Sequence, residues 1–138
     1  MTQNIGNLVT DLNERKLLST PLNVVAWVLQ ILVAIAFLAA GGAKLSGAQP
    51  MVDVFAKIGM GQWFRFVTGA LEVGGAIGLL WPRTSFYAAI VLITVMVGAI
   101  AAHLTILGGN PTPPIVLLVL SAAIAYLRRP HRVLPLAR

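Results

Sequence analysis

The sequence contains no cysteine. That absence excludes disulfides, thiolate nucleophiles, cysteine-ligated metals and iron–sulfur clusters, so the chain's own side chains cannot carry thiol exchange. Charge is scarce as well. Asp, Glu, Lys and Arg make up 10% of the 138 residues, against about 25% in soluble domains. So few charges cannot cover a water-exposed surface. Only two histidines occur, His103 and His131, and the second lies in the C-terminal tail, so bis-histidine haem ligation within one packed core is ruled out. There is no Walker loop, dinucleotide fingerprint or HExxH pattern. Asn110-Pro111-Thr112 carries proline where a glycosylation acceptor cannot have it. No metal site and no independent catalytic centre are expected.

What is abundant is apolar: hydrophobic residues make up 58% of the chain. The length allows one domain. Formal net charge is +6, but the ten basic residues are scattered beside apolar segments rather than gathered in one patch. Membrane topology explains that distribution, and no nucleic-acid partner is expected.

Residues 17–43 carry no charge. A bilayer-spanning helix needs about 20 apolar residues, and a first span is expected over 22–43. A signal peptide ending near Ala34-Ile35-Ala36 is the alternative, disfavoured because the apolar run continues past that point. A second span is expected over 62–81, containing Glu72. The uncharged stretch 84–127 is too long for one span. The breakers Gly108-Gly109-Asn110-Pro111-Thr112-Pro113-Pro114 divide it into spans over 84–107 and 112–128, with Thr112 capping the last and Pro113 at its first position. Between the first two spans, Met51, Val52, Val54, Phe55 and Ile58 recur with helical period around Asp53 and Lys57. This pattern predicts a short amphipathic helix at the outer surface. Near the N-terminus, Ile5, Leu8, Val9 and Leu12 share a helical face, which suits either a surface-lying helix or an unstructured tail.

The expected class is therefore all-α: a polytopic four-transmembrane-helix bundle with a short extracytoplasmic helix. Residues 1–21 form an N-terminal cytoplasmic segment, 22–129 the membrane domain and 130–138 a basic cytoplasmic tail. Arg15, Lys16, Arg83, Arg128, Arg129, Arg132 and Arg138 fall on one side, and Lys44, Lys57 and Arg65 on the other. The richer side is expected in the cytoplasm, with both termini, in an inner or plasma membrane. Trp27, Trp63 and Trp81 near span ends fit interfacial belts.

The polar residues inside the spans are the informative ones. Glu72 lies at mid-span, where an ionised acid costs on the order of 3 kcal/mol on insertion scales. Arg65, Thr68, Glu72, Gly75 and Leu79 share one helical side, and Ala70, Gly74 and Gly78 the opposite side at small-xxx-small spacing. The second span is thus expected to pack on two sides. Lys44 ends the first span at the outer level. His103 should sit about 6 Å below the outer boundary and Glu72 about 15 Å below it. Lys44, Arg65, Thr68, Glu72 and His103 are the candidate lining of one outward-facing ligand pocket. Lys44 and Arg65 could equally snorkel to headgroups, His103 bond a backbone carbonyl, and Glu72 form a structural pair with either base.

Phe37-x3-Gly41-x2-Lys44-Leu45-x-Gly47 closes the first span, and Phe55-x3-Gly59 follows. Gly69-x2-Glu72-x2-Gly75-x2-Gly78 marks the second span, and Ala102-His103 ends the third. In that order and spacing these motifs resemble the DoxX-like family of small bacterial membrane proteins, over about residues 22–129. The resemblance implies four helices and an association with membrane redox or oxidative-stress complexes, with Lys44 and Glu72 as family-typical positions. It implies no enzyme activity. The function expected is an accessory subunit of a quinone-linked redox complex, with quinone as candidate cofactor and the bilayer, a membrane or soluble oxidoreductase and further copies of the chain as candidate partners. A small proton-coupled exporter and a purely structural or lipid-binding protein are the alternatives.

Overall fold

In a computed structural model the chain is described over residues 2–130, the side chains of 2–3 and 14–19 excepted. The expected tail over 130–138 lies outside the described residues from 131 onward. Helices account for nearly all of the rest: α1 (Thr2–Ser46), α2 (Gln49–Ile58), α3 (Gln62–Leu79), α4 (Ser85–Ala102, prolonged by a π-helical turn His103–Leu107) and α5 (Thr112–Arg128). No strand occurs among the described residues.

Each boundary has a local cause. Gly47, Gly59, Gly61 and Gly108 take positive φ, a region open to glycine at little cost. Gly59 stops α2 as a left-handed cap, its amide donating to the Phe55 carbonyl at 3.3 Å. The Thr84 hydroxyl donates to the Gly78 carbonyl at 2.8 Å and closes the turn from α3 to α4. At α5 the cap differs from expectation. The helix begins at Thr112 itself, and it is the Asn110 side chain that accepts the Thr112 amide at 3.0 Å. Asparagine two residues upstream can bend back to that amide, as in an Asx turn.

α1 also differs from expectation. Residues 2–20 do not form a separate segment; they continue into the span as one helix of 45 residues with Pro21 inside it. At about 1.5 Å per residue it is roughly 68 Å long, more than twice a hydrocarbon core of about 30 Å. Its apolar part is Thr20–Ser46. Ile5, Leu8, Val9 and Leu12 on the remainder are exposed.

The long helices run antiparallel in sequence order. α1 packs on α3 and α5, and α4 packs on α3 and α5, closing a ring. The core is made by Val33, Ala34 and Phe37 of α1, Leu79 of α3, Leu92 of α4 and Ile124 of α5. Glycine sets the closest approaches. A Cβ on Gly41 would lie 2.9 Å from the Gly69 carbonyl oxygen, and one on Gly75 would lie 2.6 Å from Leu92 Cδ2. Of the small-residue face expected to pack, Gly78 does so, a Cβ there lying 2.9 Å from Ala88 Cβ, while Ala70 and Gly74 are exposed, with nothing within 4 Å of a Cβ on Gly74. The packing glycines, Gly69 and Gly75, lie on the same side as Glu72.

Among the described residues two helices are long and apolar enough to cross a membrane, Thr20–Ser46 and Ser85–Leu107. In the second, only 11% of the apolar window is buried within the chain. A core helix of a soluble protein would be covered; this one presents its apolar surface outward.

Gly41→Ala and Gly69→Ala are expected to lower stability by about 1–3 kcal/mol through overpacking, while Gly74→Ala changes it little. Thermal unfolding of the purified variants in one detergent checks this, and equal losses at all three positions would contradict the packing described.

Candidate functional site

At the Gly47 end of the ring, α1 and α3 are drawn together by Gly41 and Gly69. One turn farther along each helix the approach sets Lys44 against Glu72. Lys44 Nζ donates to Glu72 Oε2 at 2.8 Å. Glu72 is 1% exposed, and the Lys44 side chain 15%. Among the described residues this is the one ion pair between side chains. Burying either charge alone would cost several kcal/mol, roughly, and the pairing offsets much of that.

Arg65 also turns inward rather than to a headgroup. It is 6% exposed. One of its terminal nitrogens donates to the Lys44 carbonyl, and its Nε donates to Gln62 Oε1 at 2.7 Å. Gln62 Nε2 in turn donates to the Val52 carbonyl at 3.1 Å. The guanidinium therefore occupies the free carbonyl end of α1 and links it, through Gln62, to α2. A cation suits that helix end.

Beside the ion pair lies a cavity of about 620 Å³, within the range of small-molecule sites. Phe37 and Phe55 line it, with Met96 and Leu117, and Lys44, Thr68, Glu72 and His103 supply polar atoms. Four of the five residues expected there are brought together. Arg65 is the exception: its hydrogen bonds to Lys44 and Gln62 commit it to the helix ends, and it does not line the cavity.

The polar groups differ in what they have left to offer. The Thr68 hydroxyl donates to the Phe64 and Arg65 carbonyls at 2.9 and 3.1 Å, so its proton is already engaged. His103 Nδ1 lies 2.8 Å from the Ala99 carbonyl oxygen. A carbonyl only accepts, so Nδ1 carries the proton; in a neutral ring Nε2 is then an acceptor. The imidazole satisfies a backbone carbonyl and lines the cavity at once. Lys44 keeps further N–H donors beyond the one given to Glu72. The cavity is thus an apolar chamber with an ammonium, a carboxylate and an imidazole on its wall.

A second polar cluster, at the opposite end, was not foreseen. Gln30 is fully buried. Its Nε2 donates to the Leu79 carbonyl, and its Oε1 accepts from Arg128 Nε at 2.7 Å. Arg128 NH1 donates to Asn23 Oδ1 at 2.8 Å. The sequence signal is a pair of amides, Asn23 and Gln30, in an otherwise apolar, uncharged stretch of helix. Arg128 enters the sequence reading only as a topology charge.

The family model described as the DoxX-like family matches residues 28–125, and the chain belongs to that family. No curated protein matches the chain, and no solved structure does. Membership and the two span-length apolar helices together indicate a membrane protein.

If the ion pair chiefly holds α1 to α3, Lys44→Met alone should destabilise by about 3–5 kcal/mol by stranding a buried carboxylate, while Lys44→Met combined with Glu72→Leu returns near wild-type stability. Denaturant or thermal unfolding of the single and double variants measures this; a double variant no better than the single would refute it.

Proposed function

We propose that this DoxX-like protein crosses an inner or plasma membrane four times as a helical bundle with both ends cytoplasmic. It is an accessory subunit of a quinone-linked redox or oxidative-stress complex without a catalytic centre of its own. α1, α3, α4 and α5 are the four spans; α3 and α5, at about 27 and 26 Å by rise per residue, are short for a core of about 30 Å. Their antiparallel order sets Arg83, Arg128 and Arg129 at one end, supporting a cytoplasmic assignment of that end.

The observation that carries the ligand reading is the cavity itself: a largely apolar chamber with ionisable groups on its wall. That suits a lipophilic molecule with a small polar head. A quinone carbonyl would accept from Lys44, while a ring hydroxyl in the reduced form would donate to His103 or Glu72. Electrons would come from a partner oxidoreductase, since the sequence holds no cysteine and no cofactor motif. The Lys44 ammonium beside Glu72 disfavours export of cationic compounds, the competing reading.

The test begins with gentle detergent extraction of the full chain from its native membrane. Solvent extraction with absorbance detection should then find quinone near one per chain, and mass spectrometry of captured partners should find an oxidoreductase. The Lys44→Met/Glu72→Leu variant, checked for fold, should hold the ligand at least about tenfold less tightly. Wild-type protein carrying neither quinone nor oxidoreductase would reject the proposal and leave a structural role.

A further inference from the structure

Far from the Lys44 cavity, the start of the α1 span and the end of α5 enclose a second hollow of about 380 Å³, lined by Leu22, Asn23, Tyr126, Arg128 and Arg129 among others. Its chemistry is one-sided. Arg128 gives Nε to Gln30 and NH1 to Asn23, both neutral amide oxygens, so neither neutralises it. Its remaining nitrogen, Nη2, is buried and has no acceptor among the described residues. Arg129 lies over the Tyr126 ring, 4.4 Å from its centroid, and Arg128 is 5.5 Å from that of Trp27. Neither arginine has a carboxylate partner among the described residues.

We propose that this hollow binds the phosphate of an anionic phospholipid. Two amide acceptors fix the Arg128 guanidinium and leave Nη2 to meet an anionic oxygen, and a charge-assisted bond from arginine to phosphate is a strong one. The carbonyl end of α5 opposes an anion with about half an elementary charge; two arginines outweigh it. Trp27 and Tyr126 are the residue types that settle at headgroup depth, and Leu22 and Ala26 give an acyl chain an apolar start. A free phosphate ion shares the headgroup chemistry but gains nothing from those apolar walls. The site requires that this end of the chain meet a headgroup layer. It is independent of what fills the other cavity, so it stands or falls separately from a quinone role.

Native mass spectrometry of the full chain in neutral detergent, titrated with phosphatidylglycerol, phosphatidylcholine or inorganic phosphate, tests it. Phosphatidylglycerol should bind about tenfold more tightly than phosphatidylcholine, and millimolar inorganic phosphate should not displace it. Arg129→Ala, at an exposed side chain, should weaken it by about fivefold. Arg128→Lys, which keeps the charge and loses the fork, should weaken it similarly. Circular dichroism confirms helicity, and if Arg128→Lys misfolds, Arg129→Ala carries the test. Equal retention of both lipids, wild-type binding by the folded variants, or displacement by phosphate alone overturns the proposal.

Discussion

An ammonium and a carboxylate that meet away from water must either stay together or leave the interior. Lys44 and Glu72 stay together, at 2.8 Å with the acid almost wholly covered. The contact forms only because two glycines, Gly41 and Gly69, bring α1 and α3 close enough one turn away. That approach leaves the Lys44 carbonyl within reach of Arg65, and Arg65 in turn holds Gln62 and so α2. The architecture at the Gly47 end therefore hangs on one electrostatic requirement and the backbone approach that meets it. A bare charge in such surroundings is far costlier than one in water, which makes the constraint strict.

The same logic recurs at the other end with different chemistry. There a neutral amide, Gln30, does the linking, joining the end of α3 to α5 through the Leu79 carbonyl and Arg128. Gln30 carries no charge, so it can be fully buried provided both ends of its amide are bonded. The two ends of the ring thus solve the problem of polar groups in an apolar interior in two ways. The Gly47 end places ionisable groups on the wall of a chamber; the opposite end leaves one guanidinium nitrogen unmatched among the described residues. These differences make the Gly47 end the candidate for a polar-headed lipophile and the opposite end the candidate for a phosphate.

Much of the fold was legible because apolar runs and breakers are local signals. The third span expected over 84–107 and the helix Ser85–Leu107 coincide to within a residue, since Pro82 and the Gly108–Pro114 cluster leave little choice. The short helix between α1 and α3 followed from Pro50 at its start and Gly59 at its end. Three features were not legible. The continuation of α1 back to Thr2 runs against Pro21, whose cost to a helix is usually read as a boundary. The face of α3 that packs could not be told from periodicity, because glycines lie on both sides of that helix. The Asn110 side chain, rather than Thr112, meets the first amide of α5 because both residue types can serve and only the turn geometry separates them.

For the candidate site, residue type and helical depth were enough to gather Lys44, Thr68, Glu72 and His103 toward one end, because an ionisable group in an apolar span has few places to go. Which groups pair was decided only in three dimensions. Arg65 and Lys44 were equivalent partners for Glu72 in sequence, and the choice went to Lys44 because the Gly41–Gly69 approach brings its helix alongside, while Arg65 is drawn to the carbonyl end of α1. By itself the sequence determined that the chain is helical, apolar and without thiol chemistry, because composition and period act locally. The ion pair, the chamber beside it and the Gln30–Arg128 link belong to the tertiary structure alone, because each depends on backbones that come close only when distant segments pack.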